Sequence, residues 1–132
     1  MAVTITRSLT TPVDAQTINA GATYPSAQQT LTANGLYEQI TMYVEVTGYA
    51  AAPAGNKRLI VKIAPVHTDG GDAFTDCCPS YAFTVTADQT YRFPGLVVAL
   101  PQMFKILVVN DTDQNTDANA VTVKLERSTV TA

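Results

Sequence analysis

Apolar and polar residues alternate with a period of two along much of the chain. In residues 40–46 the even positions are Ile40, Met42, Val44 and Val46, with Thr41, Tyr43 and Glu45 between them. In an extended strand these two sets point to opposite faces, so the pattern predicts one core face and one polar face. The same pattern sets Leu59, Val61 and Ile63 against Arg58 and Lys62, with Ile60 the exception on the polar side. It sets Tyr81, Phe83 and Val85 against Ala82, Thr84 and Thr86, and Val121, Val123 and Leu125 against Thr122, Lys124 and Glu126. Residues 104–109 are apolar on both faces apart from Lys105, which predicts a central strand covered on both sides or one facing a partner. Weaker strand patterns occupy residues 3–7, 28–32 and 91–93.

Turn chemistry separates these runs. Asn34-Gly35 is a tight-turn signal, and residues 50–56, with Pro53 and Gly55, read as a loop. Asp69-Gly70-Gly71-Asp72 is a second loop, and Pro94-Gly95 and Pro101 bracket residues 96–100. Residues 111–119, rich in Asp and Asn, read as a polar hairpin connection. About eight short, evenly spaced strands result, which is the signature of an all-β antiparallel sandwich or barrel, and a sandwich is the expectation taken forward. One stretch competes as a helix. Thr11, Pro12 and Asp14 form an N-terminal capping pattern and Gly21 offers a stop, but Thr17 and Ile18 favour a strand.

Composition narrows the function classes. The 132 residues contain no repeat and no long linker, so a single domain over residues 1–132 is expected. Charged residues make up 14%, where about 25% is usual, so the polar surface must be largely Thr, Gln, Asn and Ser. The net charge is −3 and only Lys57 and Arg58 among the basic residues are adjacent, which excludes a phosphate-tracking surface for nucleic acid. No apolar run approaches the roughly 20 residues of a membrane span. Residues 1–6 lack the basic start and apolar stretch of a signal peptide, so synthesis and folding in the cytoplasm are expected.

Candidate chemistry is sparse. His67, Asp69, Asp72, Asp76, Cys77 and Cys78 are all metal-ligating types in one short segment. Their spacing matches neither Cys-x-x-Cys nor His-x-x-x-His, so the segment reads as a solvated loop, with a metal site as the alternative. Residues 111–117 begin like a calcium loop, but Thr116 stands where Gly is needed and Thr122 where Glu is needed. The adjacent Cys77 and Cys78 do not suit an ordinary disulfide with each other and read as two reduced thiols. His67 is the only His, and no nucleophile elbow or phosphate-cradling Gly-rich loop is present. The chain is therefore expected not to be an enzyme, and no catalytic, cofactor-binding or metal residue is assigned. Tyr43 stands out because alternation turns it away from the core, where it either packs under a loop or serves a protein or sugar interface.

These features together resemble a known type. The chain is a short, charge-poor, Thr- and Ala-rich β-sandwich with an extended N-terminal segment. Its tail is Arg127-Ser128-Thr129-Val130-Thr131-Ala132, and a polar connection leads into the closing strand Asn119-Ala120-Val121-Thr122-Val123. In this it is similar to the jelly-roll cement, or decoration, proteins of tailed-bacteriophage capsids. The resemblance implies a jelly-roll-like fold and a location on the capsid surface. It also implies homo-oligomers, dimers or trimers, that tie major capsid protein subunits together. It carries over no individual binding residue. The alternative is a receptor- or carbohydrate-binding sandwich of a phage tail or fibre. Residues 1–11 are expected as an arm that docks on another chain, separable from the monomer fold, and residues 127–132 as a short tail.

Overall fold

The computed structural model describes residues 3–31, 37–66 and 78–131. Its ten strand segments are β1 (Thr4–Gln16), β2 (Thr23–Pro25), β3 (Gln29–Thr30), β4 (Tyr37–Val46), β5 (Lys57–Pro65), β6 (Ser80–Thr84), β7 (Tyr91–Arg92), β8 (Leu96–Val98), β9 (Met103–Thr112) and β10 (Val121–Thr131). No helix occurs among the described residues. The strands form two antiparallel sheets packed together as a β-sandwich. The first sheet runs β1-β10-β4-β7, with β8 also on β4; the second runs β2-β9-β5-β6, with β3 also on β9. Because β7 and β8 share one edge of β4, and β2 and β3 share one edge of β9, the ten segments fill eight lateral positions.

The alternating runs lie on the predicted faces. In the first sheet Val121 pairs with Val46, Val123 with Val44 and Leu125 with Met42, and all six side chains are buried. In the second sheet Leu59, Val61, Ile63, Phe104, Ile106 and Val108 face them, each at most 1% exposed. Full burial of one such side chain contributes about 1.5–3 kcal/mol. Phe83 of β6 and Phe93 after β7 meet with ring centroids 4.6 Å apart, closing one flank between the sheets. β9 is central, as its two-sided apolar pattern predicts. On its outer side Leu107 is buried, and Ile60 and Val109 are half-buried.

The competing helix reading at residues 11–16 does not hold: they continue β1, and Val13 enters the core. The register on β10 shifts between Thr10 and Val13 and again between Val13 and Gln16, and Pro12 falls at the first of these bulges. A bulge tolerates Pro and costs no ladder bond there. Gly21 marks a turn with φ of 72° and donates its N–H to the Asn110 carbonyl at 2.9 Å, so its role is a left-handed turn and not a helix stop.

The connection after β9 is not a hairpin. β9 belongs to the second sheet and β10 to the first, so residues 113–120 cross between them. The expected N-terminal arm and C-terminal tail pair with each other, Thr4 opposite Thr131 through Thr10 opposite Leu125, and so form sheet rather than free ends. The short β2 escapes the alternation pattern because it has three residues and ends in Pro25. The Asn34-Gly35 turn lies outside the described residues.

The crossing is pinned by one buried amide. The Asn110 side chain donates to the Ile18 carbonyl at 3.0 Å and the Gln114 carbonyl at 2.8 Å, and accepts from Thr112 Oγ1 at 2.7 Å. Thr116 Oγ1 accepts from the Ile18 N–H at 2.9 Å, binding the crossing to the turn after β1. Asn110→Ala removes one of two donors from each of the Ile18 and Gln114 carbonyls and the acceptor of the Thr112 hydroxyl, and is expected to cost about 1–3 kcal/mol in chemical denaturation. Val44→Asp places a charge in the core and is expected to destabilise by several kcal/mol; a thermal melt matching the parent would refute the face assignment.

Candidate functional site

The outer face of the first sheet is the candidate site. Its residues follow from the register of β10 on β4, which sets Lys124 beside Tyr43, Thr122 beside Glu45 and Glu126 beside Thr41. Residues 4–10 of β1 are inverted relative to the rest of this sheet. Thr4, Thr6, Ser8 and Thr10 share the inner side with Thr129, Arg127 and Leu125, while Ile5 and Leu9 lie outward beside Val130 and Glu126. Val97, opposite Thr41, also faces outward. Among the described residues, the large hydrophobic side chains exposed to solvent are Val3, Ile5, Leu9, Val97 and Tyr43, at 41% to 66% exposure, and these lie on this face or, for Val3, one residue before it. Single exposed apolar residues are ordinary; these share one face, with Glu126 and Thr41 between Leu9 and Val97 and Arg7 between Ile5 and Leu9.

Tyr43 occupies the centre. Its ring lies across the turn before β8, where a Cβ on Gly95 would come 2.7 Å from Tyr43 Cε1 and 2.8 Å from Thr41 Cγ2. Gly95 is therefore required for close approach, and Tyr43 packs on the turn while keeping part of its ring exposed. A shallow groove of about 370 Å³ runs beside it, lined by Asp14, Glu45, Arg92, Thr122 and Lys124. Arg92 Nε donates to Glu45 Oε2 at 2.7 Å across the groove floor. Both partners are well exposed, and such a pair contributes about 0–1 kcal/mol, so it shapes polarity more than stability. At the far end of the same sheet, Arg127 and Glu38 form a two-pronged ion pair on the inner side, 16% and 25% exposed.

His67, Asp69, Asp72, Asp76 and Cys77 lie outside the described residues, and Cys78 is half-buried before β6. The polar residues at the end of β9 and after it serve separate structural contacts. Asp111 binds Arg58 at 2.6 Å. Asp113 accepts the Ala54 N–H at 3.0 Å, and that bond holds its carboxyl below the ordinary range. Asn115 accepts from Ala20 N–H at 2.8 Å. Among the described residues no three His, Cys, Asp or Glu side chains come together as a metal set.

Sequence pattern missed the inverted half of β1. Its alternation is visible in Val3, Ile5 and Leu9 against Thr4, Thr6 and Ser8, but the alternation alone does not say which set faces the core. Only the pairing with β10 decides that.

No protein-family model matches the chain, and no curated protein matches it. The geometry of the Tyr43 turn is directly testable. Gly95→Ala is expected to push the Tyr43 ring off the turn and cost about 1–3 kcal/mol, read by denaturant melts and by the shift of the Tyr43 ring signals in NMR.

Proposed function

We propose that this protein is a structural, non-enzymatic virion protein that binds the outside of a phage capsid and bridges major capsid protein subunits. The observation that carries this reading is the outer face of the first sheet, where the exposed apolar side chains of Ile5, Leu9, Tyr43 and Val97, with Val3 just before them, stand among Arg7, Glu45, Arg92, Lys124 and Glu126. Such a mixed apolar and polar face suits repeated, individually weak contacts that a lattice makes multivalent. The strand order supports the jelly-roll reading as well. With β2 and β3 counted as one position and β7 and β8 as another, the sheets read 1-8-3-6 and 2-7-4-5, the arrangement of a double-sheet jelly roll. On this reading the chain is made in the host cytoplasm and ends on the capsid surface as a homo-oligomer, without cofactor, nucleic acid or membrane as partner.

A gel of purified virions tests the proposal. A band near equimolar with the major capsid protein is expected; a few copies per particle would place the chain in the tail, and absence would overturn the reading. Val97→Asp, at an exposed position, is expected to preserve the melt and weaken co-sedimentation with capsids about tenfold or more.

The groove beside Tyr43 favours a second reading, a receptor- or carbohydrate-binding module of a tail or fibre. There an exposed ring borders Asp14, Glu45, Arg92 and Lys124, the mixture a sugar site uses. Saturable glycan binding that is lost in Tyr43→Ala would establish it over the capsid role.

A further inference from the structure

The lateral edges of the sandwich are unlike one another. One edge of the first sheet is made of β7 and β8, two and three residues long. The edges of the second sheet are β2 and β3, three and two residues, and β6, five residues. Short edge strands limit pairing with other chains. The remaining edge is β1. Residues 4–10 run in unbroken register on β10, and no described strand pairs with their other side. This stretch has no Pro or Gly, its bulges come only after Thr10, and Arg7 is its single charge. Apart from that charge it carries none of the usual protections of an edge, and its side chains are exposed on both faces.

We infer that this edge takes a second copy of the same chain, β1 against β1, antiparallel about a two-fold axis at Thr6. The occupant follows from self-complementarity. A two-fold pairing that keeps inner and outer faces aligned must be centred on a residue, because a centre between residues sets outward side chains against inward ones. Centring on Arg7 sets two guanidinium groups directly opposite, which destabilises a pair. Centring on Ile5 leaves Leu9 unmatched, and centring on Ser8 leaves Val3 unmatched and carries Ile5 to Thr11, at the bulge. Centring on Thr6 uses the whole of residues 3–9. On the outer face Val3 meets Leu9 of the second copy and Ile5 meets its Arg7, whose aliphatic stem packs along apolar neighbours. On the inner face Thr4 meets Ser8 and Thr6 meets Thr6, hydroxyl against hydroxyl. No like charges lie directly opposite, the open backbone groups of both edges gain partners, and the two first sheets become one continuous sheet.

This interface is small. Residues 3–9 of each chain fall well below the roughly 20–30 residues a side of a standard stable interface. The pair therefore dissociates in dilute solution and forms where chains are concentrated. The inference rests on the geometry of β1 and stands apart from the capsid reading.

Sedimentation equilibrium of the full chain, from micromolar to millimolar concentration, tests it. The expected mass rises from one chain to two. Ile5→Lys sets a lysine opposite Arg7 of the second copy in two symmetric places and is expected to weaken the dimer about tenfold. The double variant Ile5→Lys with Arg7→Glu sets opposite charges at the same places and is expected to restore it. Circular dichroism melts of both variants, unchanged because both positions are exposed, show that the loss is not unfolding. A single-chain mass throughout, a mass of three chains, a dimer indifferent to Ile5→Lys, or a double variant no tighter than the single one would each overturn the pairing. A dimer that forms and rescues as expected while the chain is absent from virions would sink the capsid reading and leave this pairing intact.

Discussion

The rest of the structure depends on the unbroken register between β4 and β10. Every residue of β4 is matched along β10, from Val46 opposite Val121 to Tyr37 opposite Val130, without a bulge. Side chains alternate strictly along a strand, so a slip of one residue would carry Met42, Val44 and Val46 to solvent and bring Tyr43 and Glu45 into the core. The apolar residues on both strands make that slip prohibitively costly. Once the register holds, the outer neighbours are no longer free to vary: Tyr43 must lie beside Lys124, and Glu45 beside Thr122 and Arg92. The groove is a by-product of core packing on the other side of the same strands.

Polar contacts act where apolar ones run out. Toward the ends of β4 and β10 the inner face passes from Ile40 to Glu38 and from Leu125 to Arg127. A carboxylate and a guanidinium there satisfy each other in a planar two-bond geometry that holds the strands in one alignment. At the opposite end Asn110 and Thr116 play a similar part for the chain crossing. Neither group adds much to a burial tally. Both fix which arrangement the buried surface adopts, because the alternatives strand a buried donor or acceptor.

Much of the fold is legible in the sequence, and the illegible parts share a cause. The runs at 40–46, 59–63, 81–85 and 121–125 announce their core faces because each carries large apolar residues on one set of alternate positions. Residues 11–16 leave two readings open because a capping pattern and Pro12 fit both a helix start and a strand with bulges, and only the pull of Val13 into the core decides. The crossing after β9 looks like a hairpin because turn-rich loops read the same whether they return to one sheet or pass to another. The candidate surface is half legible. Tyr43 declares itself by standing alone opposite an apolar set, whereas the alternation of Ile5 and Leu9 with Thr4, Thr6 and Ser8 leaves their facing open until β10 turns them outward. Local pattern gives periodicity; which face is inside is settled by partners distant in the sequence.

The polar lining beneath residues 4–10 has a thermodynamic side. Between the sheets at this end lies a cavity of about 100 Å³, bordered by Ser8, Thr10, Gln29 and Arg127 as well as by Leu125 and Phe104. The other end is closed by Val13, Val121 and Tyr49, which are at most 1% exposed. Opening free energy in a protein falls where few apolar contacts hold the backbone, so the end at residues 4–10 is the looser of the two. The strand offered to other chains sits at the loose end. Whatever binds there adds its binding free energy to the least stable part of the fold, and the monomer and its assembled form must then differ in how they melt.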